Sequence, residues 1–275
     1  MRHGVENPSA SIFAHSAEGR EGGSGTVLPR YIRGVKARRF LFSILTLVTG
    51  CGNKSSSSGP PPPAPPVSNV EGGADPQTGD IRYLALGDSI SQGYGVPDMS
   101  TGAFPARLAE HWRARGCKVV LKNLGARHNT SQDVITNQLP QIAPFKPTLI
   151  TLQVGSNDMG RSVPIETYRK NVRTILEAAK GSGARVVVIG QNEWHRSPEG
   201  PNYGKKLGEK RDAFDGALTD ETKANGTELV DLRLLYRQQA DKKMWNEDGI
   251  HPTAEAYDQM AAELARVIPT PCAPR

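Results

Sequence analysis

The chain has 275 residues, a formal net charge of +6 and three cysteines. Its lysines and arginines are scattered among acids, with no basic run interleaved with aromatics, which argues against nucleic-acid binding. No CxxC pair or Cys/His cluster is present, which argues against a zinc site. Glycine and proline concentrate in the first eighty residues and so describe a tail rather than a core.

Residues 1–34 are polar and Gly-rich, without periodicity. Residues 35–50 read as a leader. Lys36, Arg38 and Arg39 form a basic n-region, and Phe40–Val48 form an apolar run too short to cross a bilayer core of about 30 Å. Val48-Thr49-Gly50-Cys51 resembles the lipobox of bacterial lipoproteins. That resemblance implies cleavage before Cys51, lipid attachment there and, with Gly52 following, an outer-membrane destination in the cell envelope. Translation is expected to begin at Val35, which makes residues 1–34 a doubtful extension. Residues 51–80, "CGNKSSSSGPPPPAPP" onward, are a flexible and then polyproline spacer that cannot bury a core.

The folded domain is expected over residues 81–268, with a short tail at 269–275. Apolar β-branched runs at Ile81–Leu86, Val119–Leu121, Leu149–Val154, Val186–Ile189 and Glu228–Leu232 predict strands. Helical periodicity is clear over residues 165–180 and 253–268, and helices are expected near 103–115, 131–142 and 205–225. Continuous runs such as Val186-Val187-Val188-Ile189 read as strands buried on both faces. Alternating β and α units predict a three-layer α/β/α sandwich around a central parallel five-stranded sheet, with ligands bound at the carboxyl ends of the strands. Cys117 is read either as a buried strand residue or as a partner for Cys272 in an oxidising compartment.

Three strand ends carry polar clusters: Gly87-Asp88-Ser89, "NLGARHNT" at 123–130, and Gly155-Ser156-Asn157-Asp158. Ser89 is a nucleophile candidate or a helix cap. A nucleophile needs a base, a group that orients the base, and oxyanion donors. "DGIHP" at 248–252 offers His251 as the base and Asp248, three residues earlier, as its orienting carboxylate. Asn157 offers an amide donor. No Gly-x-Ser-x-Gly is present. His195 sits in a long loop as a candidate pocket-lining residue, whereas His111 falls on a solvated helix face.

Together these motifs resemble the SGNH-hydrolase superfamily of GDSL esterases and lipases, in its compact periplasmic thioesterase/lysophospholipase form. Gly87-Asp88-Ser89, Gly155-Ser156-Asn157-Asp158 and Asp248-Gly249-Ile250-His251 match three blocks in order. The resemblance implies a serine esterase with a Ser89–His251–Asp248 triad, and an oxyanion site from Asn157 and the N–H groups of Ser89 and residue 128. It implies no metal or organic cofactor and a small-molecule ester as partner; with the leader motif, the expected unit is a monomer tethered to membrane through its lipid. Short-acyl esters are the expected substrates; carbohydrate acetates, lysophospholipids or thioesters, and binding without catalysis, are the alternatives. One block departs from the pattern. Asn123 and Thr130 hold its register, but His128 stands at the usual glycine, with Gly125 three residues earlier. Either His128 donates its N–H from a strained backbone, or Gly125 serves instead.

Overall fold

The computed structural model describes residues 81–269 and Cys272. The extension 1–34, the leader 35–50, Cys51 with the spacer to residue 80, and the remainder of the tail lie outside the described residues.

Five strands, β1 (Ile81–Gly87), β2 (Val119–Asn123), β3 (Leu149–Gln153), β4 (Arg185–Ile189) and β5 (Glu228–Val230), form one sheet in the order β2-β1-β3-β4-β5. Every pairing is parallel. Among the described residues, ten α-helices connect or flank them. α1 (Ser89–Gln92), α2 (Met99–Gly102) and α3 (Phe104–Ala114) lie between β1 and β2. α4 (Ser131–Asp133) and α5 (Ile142–Phe145) lead to β3; α6 (Ser156–Gly160) and α7 (Ile165–Gly181) lead to β4. α8 (Leu207–Ala224) precedes β5; α9 (Arg233–Asp241) and α10 (Ala254–Val267) follow it.

Because successive side chains of a strand point to opposite faces, β1 sends Ile81, Tyr83 and Ala85 to one core and Leu84 and Leu86 to the other. β4 does the same with Val187 and Ile189 against Val186 and Val188. The first core packs Phe104, Leu108 and Trp112 of α3 and Tyr257, Met260 and Leu264 of α10. The second packs Tyr168, Val172 and Ile175 of α7 and Phe214 and Leu218 of α8. This is the expected three-layer sandwich.

Two local expectations are corrected. The helix expected over 131–142 is four pieces: α4, a π-helical turn at Val134–Gln138, a 3₁₀ turn at Leu139–Gln141, and α5. Pro140 has no N–H to continue an α-helical ladder, and the π turn absorbs one extra residue. The strand expected to reach Leu232 stops at Val230, and α9 begins at Arg233, after the Asp231 carboxylate accepts the Arg233 N–H at 2.8 Å.

Cys117 and Cys272 form a disulfide, with Cα atoms 5.7 Å apart across 155 residues of sequence. It ties the end of the chain to the loop that enters β2. Cross-linking across so long a loop restricts the unfolded chain and contributes about 2–4 kcal/mol. Cys117 precedes β2, at the edge of the sheet opposite the polar strand ends. Cys272→Ser is therefore expected to lower the thermal midpoint by about 5–15 °C while leaving catalytic rates unchanged. Calorimetry beside a steady-state assay checks both; an unchanged midpoint contradicts it.

Candidate active site

The strand order reverses between β1 and β3, and there the carboxyl-edge loops part to leave a cleft. Gly87 ends β1 at φ +149°, and a Cβ there would stand 2.2 Å from the Gln153 carbonyl oxygen of β3. Only glycine lets the chain leave the sheet so close to its neighbour. The Gln138 side chain grips Gly87 at both ends, its Oε1 accepting the Gly87 N–H at 2.9 Å and its Nε2 donating to the Gly87 carbonyl at 2.7 Å. Asp88 then caps α1 by accepting the Ile90 N–H at 3.0 Å. Ser89 follows as the first residue of α1, 7% exposed.

His251 arrives from the loop between α9 and α10. Trp245 and Pro252 pair as an antiparallel bridge, and the Asn246 N–H donates to the His251 carbonyl at 2.8 Å, which closes that loop into a narrow turn. Its Nδ1 lies 2.6 Å from Asp248 Oδ2 and its Nε2 2.8 Å from Ser89 Oγ. The other Asp248 oxygen accepts the N–H groups of Ile250 and His251, each at 2.9 Å. The Tyr94 ring stands edge-on to the imidazole, centroids 4.7 Å apart. Burial pushes the His251 imidazole below its ordinary value, by more than Asp248 raises it. Burial pushes the Asp248 carboxyl up, but the two N–H groups and the imidazole outweigh it and hold the carboxyl low. At neutral pH, then, His251 is neutral and Asp248 ionised.

The third wall comes from β2 and β3. Ala126 accepts the Asn129 N–H at 3.2 Å, so Arg127 and His128 occupy the corners of a four-residue turn. His128 has φ +67°, the conformation a glycine would take there. For a residue with a Cβ this costs about 1–2 kcal/mol. Its N–H meets no acceptor among the described residues, and the same is true of the Ser89 N–H. The Gly125 N–H, by contrast, donates to Asn123 Oδ1 at 3.0 Å. Of the two positions weighed for the missing glycine, His128 keeps the free donor. Asn157, the second residue of α6, donates one amide hydrogen to the Asn129 carbonyl at 2.9 Å. Buried Asp158 binds the two loops together, accepting from the Ser131 N–H at 2.8 Å and hydroxyl at 2.5 Å.

Ser89, His128, Asn157, Asp248 and His251 all line one cleft of about 420 Å³. Asn192, Trp194, Glu199 and Tyr203, from the loop after β4, form its remaining wall. His195 does not line it; its Nε2 faces Glu193 Oε2 at 3.6 Å. His111 is exposed on α3. Sequence reasoning missed Gln138 and Asp158, the two side chains that lock the loops. Among the described residues, no cluster of three or more His, Cys, Asp or Glu side chains could hold a metal ion.

Burial pushes the Asp88 carboxyl up to about 7, with the Ile90 N–H opposing and the charge of Asp158 reinforcing. An unfolded aspartate ionises near 3.9, so between about pH 4 and 7 the unfolded chain releases a proton that the folded chain keeps. The contribution of Asp88 to stability therefore falls across that window and is lost above it. Asp88→Asn keeps an acceptor for Ile90 and removes the titration. Urea midpoints at pH 4.5 and 7.5 are expected to shift in the variant's favour at the higher pH; an equal difference at both contradicts this.

The GDSL-like Lipase/Acylhydrolase family matches residues 85–259. An arylesterase of Vibrio mimicus is 28% identical over 187 residues, 67% of this chain and 86% of that protein. Esterase TesA of Pseudomonas aeruginosa is 29% identical over 187 residues, 68% of this chain and 86% of that one. A crystal structure of TesA superposes with a TM-score of 0.58 at 26% identity, covering 69% of this chain and 98% of the other.

Proposed function

The chain belongs to the GDSL-like lipase/acylhydrolase family and is an ester hydrolase; from that premise we propose that it cleaves short-acyl carboxylic esters through Ser89, His251 and Asp248. The observation that carries this is the unbroken line of hydrogen bonds from Asp248 through His251 to Ser89 Oγ. Ser89 Oγ attacks the ester carbonyl carbon while His251 Nε2 takes its proton. Asp248 holds the imidazole by Nδ1 and stabilises its charged form. The oxyanion develops between the Ser89 N–H, the His128 N–H and the second amide hydrogen of Asn157, three donors with no other partner to give up. Collapse expels the alcohol, protonated by His251, and leaves an acyl-Ser89. Water, deprotonated by His251, attacks that acyl carbonyl. The carboxylic acid then leaves, and Ser89 regains its proton.

His128 serves through its backbone, so its side chain does not disable the site. The absence of glycine is met by paying for φ +67° locally. A cleft of about 420 Å³ with mixed polar and aromatic walls fits a small ester better than a long acyl chain.

The leader motif ending at Cys51 supports export and lipid anchoring in the cell envelope, with outer-membrane placement. The Cys117–Cys272 disulfide fits an oxidising compartment of that kind. The partner is then a small ester, and the working unit a monomer.

Hydrolysis of p-nitrophenyl acetate, butyrate, octanoate and palmitate tests the assignment. Turnover is expected to be greatest on the short esters. Ser89→Ala is expected to lower kcat by about 10⁴-fold or more, and Asn157→Ala by about 10²–10³-fold. The acid limb of kcat/KM should lie below 6.5, because His251 must be neutral to act as base and burial lowers its pKa. Substantial turnover by Ser89→Ala overturns the mechanism.

A further inference from the structure

The loop after β4 is the wall of the cleft that the triad does not explain. Asn192 lines it and is 4% exposed, yet both its Oδ1 and its Nδ2 lack a hydrogen-bond partner. It is the one side chain among the described residues with a buried donor and a buried acceptor both unpaired. Two residues on, Trp194 also lines the cleft, is 4% exposed, and leaves its Nε1–H unpaired. Buried polar groups in folded proteins nearly always find partners, and leaving them without one costs stability.

Nor is this a loose loop. Arg211, 1% exposed, donates to the carbonyls of Gln191 at 2.5 Å and Asn192 at 3.4 Å. Glu193 and Asp215 compensate its charge from 3.4 and 3.8 Å. The Gln191 N–H donates to Asp215 Oδ1 at 2.9 Å. A buried ionic frame thus fixes the backbone on both sides of an amide that satisfies nothing in the protein. The Trp194 ring, edge-on to Tyr203 at 5.1 Å, adds an aromatic surface to the same wall.

We propose that Asn192, with Trp194, is a specificity determinant that reads a hydroxyl group beside the scissile ester, so that the substrate is an ester of a polyhydroxylated alcohol. A hydroxyl donates once and accepts from others, which matches an amide offering one acceptor and one donor next to an indole N–H. An alkyl ester would leave all three atoms desolvated and unpaired, and a site built to bond a hydroxyl rejects the analogue that lacks it. The inference rests on the ester-hydrolase reading of Ser89 and goes beyond it to the leaving alcohol.

The test uses a methyl pyranoside with one O-acetyl group beside a free hydroxyl, the same compound with that hydroxyl removed, and p-nitrophenyl acetate. The wild type is expected to favour the hydroxylated acetate over its deoxy analogue by at least about tenfold in kcat/KM. In Asn192→Leu, and in Asn192→Ala should leucine not fold, that ratio is expected to fall toward one. Asn192→Leu is also expected to raise the thermal midpoint, because it removes an unsatisfied buried amide, which a merely structural role would not do. A wild-type ratio near one, or a ratio retained in the folded variants, overturns the inference and leaves the esterase standing if p-nitrophenyl acetate is cleaved. No cleavage of any of the three esters by folded wild type overturns the reading of Ser89 and this inference with it.

Discussion

The site depends on how closely the end of β1 approaches β3. Gly87 turns out of the sheet where a methyl group would meet the Gln153 carbonyl oxygen at 2.2 Å. That turn places Asp88 as a cap and Ser89 at the mouth of the cleft, within 2.8 Å of an imidazole 162 residues away in sequence. Gln138 completes the constraint from the other side by bonding both the N–H and the carbonyl of the same glycine. A serine on a backbone held at both edges has little freedom to lose when substrate binds, which is the positioning that the proposed nucleophilic role requires.

The polar groups behind the cleft are arranged at a cost to stability. Asp88 and Asp158 are both essentially inaccessible, and burial raises both carboxyls. Each holds a loop: Asp88 caps α1, and Asp158 joins Ser131 to the helix that carries Asn157. His128 adds a strained backbone to that cost. A strained backbone and two desolvated carboxyls at the strand ends that line one cleft are consistent with a functional site there.

Much of this was legible in the sequence. The parallel sheet followed from continuous β-branched runs separated by helical periods. The cleft lies where polar residues follow the ends of buried strands in the sequence. The His128 departure was also legible; the Gly125 N–H is occupied by Asn123 Oδ1 and the His128 N–H is free among the described residues, which favours the proposal built on His128. What could not be read depended on contacts without local pattern. The one-residue π insertion that aims Gln138 at Gly87 looks like ordinary helix in sequence. Arg211 and Asp215 sit at helical positions that composition assigns to solvent, yet are 1% and 4% exposed. Cys117 and Cys272 stand 155 residues apart; their pairing is one of two readings open from sequence, and nothing near either residue chooses between them. Asn192 reads as one more polar loop residue until its lack of partners is seen.

The central claim is that Ser89, made nucleophilic by His251, forms the covalent intermediate. The most direct measurement is intact mass and peptide mapping after treatment with one equivalent of an aryl phosphonate ester, at pH 5 and pH 8. The account predicts a single adduct on Ser89, formed faster at pH 8, and no adduct in His251→Ala. Modification of another residue, or labelling of Ser89 that persists without His251, would contradict it.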